Sequence, residues 1–391
     1  MLSVLVIGAA QAQDVMPLPG AGNEIQVAHQ RFVSTLEAGE LEDAVGLARA
    51  TLHIVQHQEP SAAKTVARAH YNLVLARWRS LDLTAAADFV DVLARFEAVF
   101  GPDSAELIQP LIMVSQSGIV FEAANGSRNT LRFAFARSRE LERRARRLAL
   151  DQFGRNTIPF LEYELRTARA SLPNERVLRS IHSRISKLGR EGVTLYARAS
   201  DEYANSLMRN RNVLGVIEVL QSAIDRLDEA DVVVPSIRRQ LYGRMVQAYE
   251  MLGQRDAATE HGLAYARYSE DASTAQLLFS SEYQNNFYER RFPTAIPVRV
   301  TVDEAGFVTE AELLTTEGFS QATRDQAIAF AFQQRFAPRL LDGRAVADTG
   351  LVTVVRVDDS VLSRRYTVPC KTDRERSALQ KFLDWSCRNS R

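Results

Sequence analysis

Tyr249-Glu-Met-Leu-Gly-Gln-Arg-Asp-Ala-Ala258 closes one apolar helical face, breaks at a glycine and opens another, and Leu36-Glu-Ala-Gly-Glu-Leu-Glu-Asp-Ala44 does the same near the start of the chain. In both, a small residue stands five positions beyond the glycine, as needed where two helices cross closely. Around the earlier copy, apolar residues recur at helical spacing: Phe32, Val33 and Leu36, then Leu41, Ala44, Val45, Leu47, Ala48 and Leu52. A third copy runs from Tyr71 to Trp78, breaks at Ser80-Leu-Asp-Leu-Thr84 and resumes over Ala85 to Leu93.

Working outward, turn positions fall at Gly39, Asp82, Asn125, Ala168, Asn210 and Gly253, a period of about 43 residues. Five residues beyond them stand Ala44, Ala87, Thr130, Pro173, Gly215 and Ala258. The first, second and sixth units carry the period, while Ala168 and Pro173 fit it poorly. Residues 24–288, with almost no strand signal, are thus expected to form an all-α array of stacked helix pairs. Each pair buries its face only against its neighbours, which makes a solenoid with a concave surface suited to holding another protein.

After Phe292-Pro293 the pattern changes. Pro297-Val-Arg-Val-Thr-Val302 alternates apolar and polar residues, Asp303-Glu-Ala-Gly306 reads as a turn, and Phe307 to Leu314 alternates again, a β-hairpin. Thr323 to Arg335 reads as a helix with Ala327, Ile328, Phe330, Ala331 and Phe332 on its buried side. A loop containing Pro338 and Gly343 leads to a last strand, Leu351 to Val357. Strand, strand, helix, strand over 289–358 predicts a small α+β domain, a sheet covered on one face by one helix. Residues 359–391 are left as a tail with a short helix.

Composition narrows the function classes. The chain has 391 residues, 48 basic and 48 acidic, and 46% hydrophobic residues, enough for packed cores. A formal charge of zero argues against nucleic acid, whose binders concentrate positive charge. No stretch reaches the roughly 18 to 20 apolar residues of a membrane-spanning helix. Residues 1–12 form a short apolar run ending Ala10-Gln11-Ala12, the small-x-small pattern of a secretory signal cleaved after Ala12, although a positively charged start is missing; a buried N-terminal strand or helix is the alternative. An exported chain meets an oxidising compartment, where Cys370 and Cys387 could close the tail as a disulfide or stand as independent thiols. An unbroken helix from 373 to 387 would hold its ends about 21 Å apart, so the bond needs Cys370 to double back or the helix to stop early.

Two resemblances follow from these residues. The helical segment is similar to a tetratricopeptide-repeat array of the longer, kinesin-light-chain-like variety, on Leu36 to Ala44, Tyr249 to Ala258, and the linker Phe100-Gly-Pro-Asp-Ser104 echoed at Phe153-Gly-Arg-Asn156. The standard repeat is 34 residues, and a period near 43 also suits HEAT or armadillo pairs. The segment 289–358 resembles the C-terminal domain of TonB-family proteins, on Val298 to Val308, Gln334-Arg-Phe-Ala-Pro338 and Asp342-Gly343-Arg-Ala-Val346 before the final strand. Phe292-Pro293 stands where that family often has Tyr-Pro. The TonB resemblance implies a Gram-negative envelope and capture of a short extended segment of an outer-membrane transporter by strand addition. The candidate edge is then Gly350 to Val357, with Leu351, Thr353, Val355 and Val357 as its alternate side chains. Residues 359–391 or a second copy of the protein, making a dimer, could cover that edge instead.

No constellation with catalytic spacing stands out, and no cofactor is expected. His53 and His57 are spaced i, i+4 but lack the intervening Glu of His-Glu-x-x-His and a third ligand, and an exposed or half-buried helix face accounts for them. Gly-x-Ser-x-Gly, phosphate-loop and Gly-x-Gly-x-x-Gly motifs are missing. Arg137, Arg139, Arg143, Arg144, Arg146 and Arg147, interleaved with Glu140 and Glu142, could grip an acidic partner or anionic lipid; a solvated face with internal ion pairs is the simpler expectation. The sequence therefore predicts a periplasmic, non-enzymatic adaptor that binds envelope proteins through the solenoid, the edge strand or both. A TonB-type energy transducer for outer-membrane transport is the second reading, and it requires a membrane anchor upstream of Met1.

Overall fold

The computed structural model describes residues 14–58, 62–125, 128–170, 175–269, 273–280 and 294–357. The expected signal at 1–12, Phe292-Pro293, the tail at 359–391 with its short helix, and Cys370 and Cys387 lie outside the described residues. The chain is mostly helical, with a small sheet region on its C-terminal side. It divides into two compact units, one running to Phe160 and the other beginning at Leu161.

In the first unit α1 (Asn23–Glu37), α2 (Leu41–Gln58), α3 (Ala63–Arg79), α4 (Ala85–Phe100), α5 (Ile108–Asn125) and α6 (Arg128–Phe153) follow one another in pairs. Phe32, Leu36, Ala44, Ala48 and Ala76 form one buried cluster, and Tyr71 meets the rings of Phe89 and Phe96 at 6.1 and 6.2 Å. The residues before α1 are tied down by a buried amide. Asn72 Oδ1 accepts from Met16 N at 2.8 Å, while Asn72 Nδ2 donates to Met16 O at 2.9 Å, so one side chain satisfies both backbone groups of a residue with no ladder partner.

The second unit holds most of α7 (Ile158–Ala170), then α8 (Glu175–Ile185), α9 (Val193–Arg209), α10 (Val213–Glu229), α11 (Pro235–Met251) and α12 (Arg255–Arg267). The same turn joins α1 to α2, α3 to α4, α9 to α10 and α11 to α12. One residue takes a left-handed φ, Gly39 at 80°, Leu81 at 67°, Arg211 at 59° and Gly253 at 70°. Its N–H bonds three residues back and the next N–H five back, as in Glu40 to Thr35, Asp82 to Arg77, Asn212 to Leu207 and Gln254 to Tyr249. This is the Schellman closure of a helix end.

The turn expected at Ala168 is a correction, because that residue lies buried within α7. Measured from the left-handed residue, the position five further on is Ala44, Ala86, Val216 or Ala258, and all four are buried. Ala87 is exposed, so the register of the α3–α4 hairpin is one residue earlier than the sequence suggests.

The sheet region begins sooner than the sequence predicts and holds more strands. β1 (Gln276–Phe279), inside the segment read as helical array, pairs antiparallel with β4 (Arg335–Ala337), whose first residue was expected to end a helix. β2 (Thr294–Val302) and β3 (Val308–Leu313) make the expected hairpin, and β7 (Asp348–Val357) pairs with the other side of β2, giving the order β3-β2-β7. The predicted loop around Pro338 and Gly343 is a hairpin of β5 (Arg339–Leu341) and β6 (Arg344–Val346), turned by Asp342 and Gly343, both at positive φ. α13 (Gln321–Phe332), capped by Ser320 Oγ accepting from Thr323 N at 3.1 Å, lays Ala327 and Ala331 on Ile296, Val298, Val300, Val355 and Val357. A second cluster of Val246, Ala258, Ala266, Leu278 and Ala337 seats β1 and β4 on the hairpin of α11 and α12.

Candidate functional site: an edge strand and its buried support

β7 is an edge. Among the described residues it pairs only with β2, and a proline fixes which of its backbone groups look outward. Pro297 of β2 stands opposite Val354, and Pro297 O accepts from Leu314 N on the β3 side at 3.1 Å. A strand residue directs its N–H and C=O to the same side, so Pro297 and Val354 form a non-hydrogen-bonded pair. Val352, Val354 and Arg356 therefore turn their backbone groups away from β2, toward the outer side of β7. Gln334, itself 1% exposed, crosses that edge: its Nε2 donates to Val354 O at 3.5 Å, the outer limit of a hydrogen bond, while its Oε1 is buried with no partner among the described residues.

Side chains on β7 split by parity. Thr353, Val355 and Val357 are buried and Leu351 is half-buried, all on the face under α13, so the four residues singled out from the sequence belong to the domain's core. Val352 at 55% and Val354 at 48% exposure are on the other face, Val354 opposite Pro297 and Val352 opposite Arg299. Further along that face Arg299 pairs with Glu312 at 2.8 Å, and Thr301 donates to Glu310 at 2.9 Å. The open face thus carries Val352, Val354 and Pro297 as a small apolar patch between Arg356 and Arg299, and paired polar groups at its β3 side. Below β7, Asp348 anchors the strand by accepting from Ala275 N at 2.8 Å, just before β1.

Beneath the sheet lies a group that sequence reasoning missed. Arg335 of β4 is 1% exposed, and its guanidinium sits over the Phe307 ring at 3.5 Å. It faces Glu250 of α11 at 3.3 Å and donates to Thr259 Oγ1 of α12. Burial pushes the Glu250 carboxyl above its ordinary pKa against the pull of Arg335 and Arg255, and pushes Arg335 below its own against Glu250 and Asp303. An arginine between a glutamine and a phenylalanine in Gln-Arg-Phe-Ala offers no periodic signal, and its partners are distant in sequence.

The remaining candidates separate cleanly. His53 and His57 rings stand 3.9 Å apart with His57 Nδ1 2.8 Å from His53 O, and among the described residues no group of three His, Cys, Asp or Glu could hold a metal ion. A shallow cleft lies between α11 and β1, lined by Arg239, Arg244, Tyr265 and Leu277, where Arg244 is neutralised by Asp201 at 2.6 Å. In the arginine stretch of α6, Glu142 accepts from Ser115 and Ser138, and Arg144 pairs with Glu97 of α4. Among the described residues no helix is long and apolar enough to cross a membrane. No model of a known protein family matches the chain, and no curated protein sequence matches it.

Proposed function

We propose that this chain is a non-enzymatic periplasmic adaptor in which a tetratricopeptide-like helical array carries a TonB-like domain, and that the domain captures an extended segment of an envelope protein by strand addition to β7. The observation that carries the reading is the edge itself: Val352 and Val354 direct backbone donors and acceptors outward, and both hold exposed apolar side chains beside them. An added strand would complete those hydrogen bonds and lay its own alternate side chains along the apolar end of the open face. Gln334 would give up its long bond to Val354 O as the guest arrives. The seating of β1 and β4 on the last helical hairpin supports a rigid display of that edge.

Proline substitution tests the reading. At Val354 proline removes an N–H that faces the open edge and leaves the β2 ladder intact, whereas at Val355 it removes a ladder donor. V354P should keep its fold by circular dichroism and lose the envelope proteins that the wild-type chain retains from a cell-envelope extract. Hydrogen exchange should slow at the Val352 and Val354 amides when the guest is bound. Retention by V354P equal to wild type, with no change in exchange at those amides, sinks strand addition. Truncation near Tyr288 is the poorer test, because it strips β1 of its partner β4 and bares Val246 and Leu278.

A further inference from the structure

Along α6 the arginines sort themselves by what they touch. Arg144 is taken by Glu97 and the Pro102 carbonyl, and Arg146 packs over the Phe160 ring at 5.6 Å. Arg139, Arg143 and Arg147 are exposed and make no hydrogen bond or ion pair with any described residue. At intervals of four they lie in one row, each head roughly 6 Å further along the axis. The opposite side of the helix is its buried one, with Ser138, Ala145, Leu148 and Ala149. Glu142, the carboxylate best placed by sequence to neutralise the row, accepts from Ser115 Oγ at 3.0 Å and does not pair with the row. Glu140 and Asp151 are the other exposed acids of this stretch, and neither pairs with the row. Like charges four residues apart repel, so the helix holds the row at a cost that no ion pair with a described residue offsets.

We propose that this row docks the protein on an anionic phospholipid surface. A protein partner normally anchors on an apolar centre from which charge is depleted, and no large apolar side chain is exposed between 136 and 153. A headgroup layer asks only for cations that reach one plane, and three heads on one arc of a straight helix do so. Guanidinium forks match phosphate oxygens in pairs. The row belongs to the first unit and is independent of the β7 edge.

The test uses the full chain and sedimentation with vesicles of phosphatidylcholine doped with phosphatidylglycerol, against phosphatidylcholine alone. The wild-type protein should bind only the doped vesicles and release them as salt rises. R139Q/R143Q/R147Q should fold as well as wild type by circular dichroism and bind the doped vesicles roughly a hundredfold more weakly, while R209Q/R211Q, which removes exposed arginines elsewhere, should bind as wild type does. Three results overturn the proposal: no wild-type binding to the doped vesicles, equal binding by the triple variant, or displacement of the vesicles from the row by polyglutamate at matched charge, which would assign it to an acidic protein.

Discussion

Arg335 and Glu250 face each other inside the second unit, Nε to carboxylate oxygen 3.3 Å, with side chains 2% and 11% exposed. Glu250 is held above its usual pKa and Arg335 below, so burial penalises each charge by more than the partner returns. Removing one member is then worse than removing both. Glu250→Ala strands a buried guanidinium and should cost about 3–5 kcal/mol in urea unfolding, whereas E250L/R335M should lie within about 1 kcal/mol of wild type or above it. The pH dependence has a fixed sign. A carboxyl whose folded pKa is raised stabilises below its ordinary value of 4.5 and loses that contribution as pH climbs through the folded value. Glu250→Gln should therefore flatten the decline in stability on the alkaline side of pH 4.5; a variant that declines as steeply as wild type contradicts a raised Glu250.

Gly306 sits in the turn between β2 and β3 at φ 86°, and a Cβ there would meet Phe336 O at 2.1 Å. Phe336 N also donates to Gly306 O at 3.0 Å, so the turn and β4 share one close backbone contact directly beside Arg335. Gly350 at the start of β7 has a similar φ of 75° and nothing within 4 Å of its would-be Cβ. Gly350→Ala should cost only the left-handed penalty, about 1–2 kcal/mol. Gly306→Ala must also push β4 away and should cost more than about 3 kcal/mol, read as the difference between two thermal melts. Equal losses would mean that β4 can move freely from the turn.

What could be read from the sequence was what repeats or alternates. The glycines at 39 and 253 are the left-handed residues, and there the helix breaks fell in the right place. At the second and fifth hairpins Leu81 and Arg211 take that conformation, which no propensity favours, so the sequence points instead to the neighbouring turn formers Asp82 and Asn210 and to Ala87 in place of Ala86. On β7 both parities are rich in valine, and alternation alone could not say that Val355 faces the core and Val354 the open side. β1 is four residues long and owes its form to pairing with β4, a long-range contact that a local pattern does not encode.

Leu81 stores strain in a turn that glycine fills elsewhere. It is 62% exposed, so its side chain returns little packing for a φ of 67°. Leu81→Gly should stabilise the first unit by about 0.5–1 kcal/mol, the left-handed relief less the added freedom of the unfolded chain. Arg211→Gly should act likewise in the second unit. The check is a shift in thermal midpoint, and a fall on substitution at both positions would mean that the leucine and arginine side chains contribute contacts worth more than the strain.

His182 carries the clearest acid liability. It lies between the rings of Tyr196 and Tyr203 at 4.8 and 5.3 Å, with Nε2 3.0 Å from Ser200 Oγ, and Ser200 is wholly buried. Burial first, and the Arg226 guanidinium second, push its pKa from 6.5 down to about 4. Arg226 itself lies over the Tyr196 ring at 4.1 Å and cannot retreat without losing that contact. A folded pKa below the unfolded one means that the unfolded chain binds more protons between the two values. The contribution of His182 is thus complete above pH 6.5 and disappears as pH falls toward about 4. Because the ring is half-buried and water screens part of the effect, the loss should be about 2–3 kcal/mol. His182→Phe keeps the ring stack and cannot be protonated, so it should match wild type near neutrality within the cost of the lost serine bond and exceed it at pH 4.5. Urea midpoints for both proteins at the two pH values decide this, and a His182 imidazole that titrates near 6.5 by NMR in the folded chain refutes it.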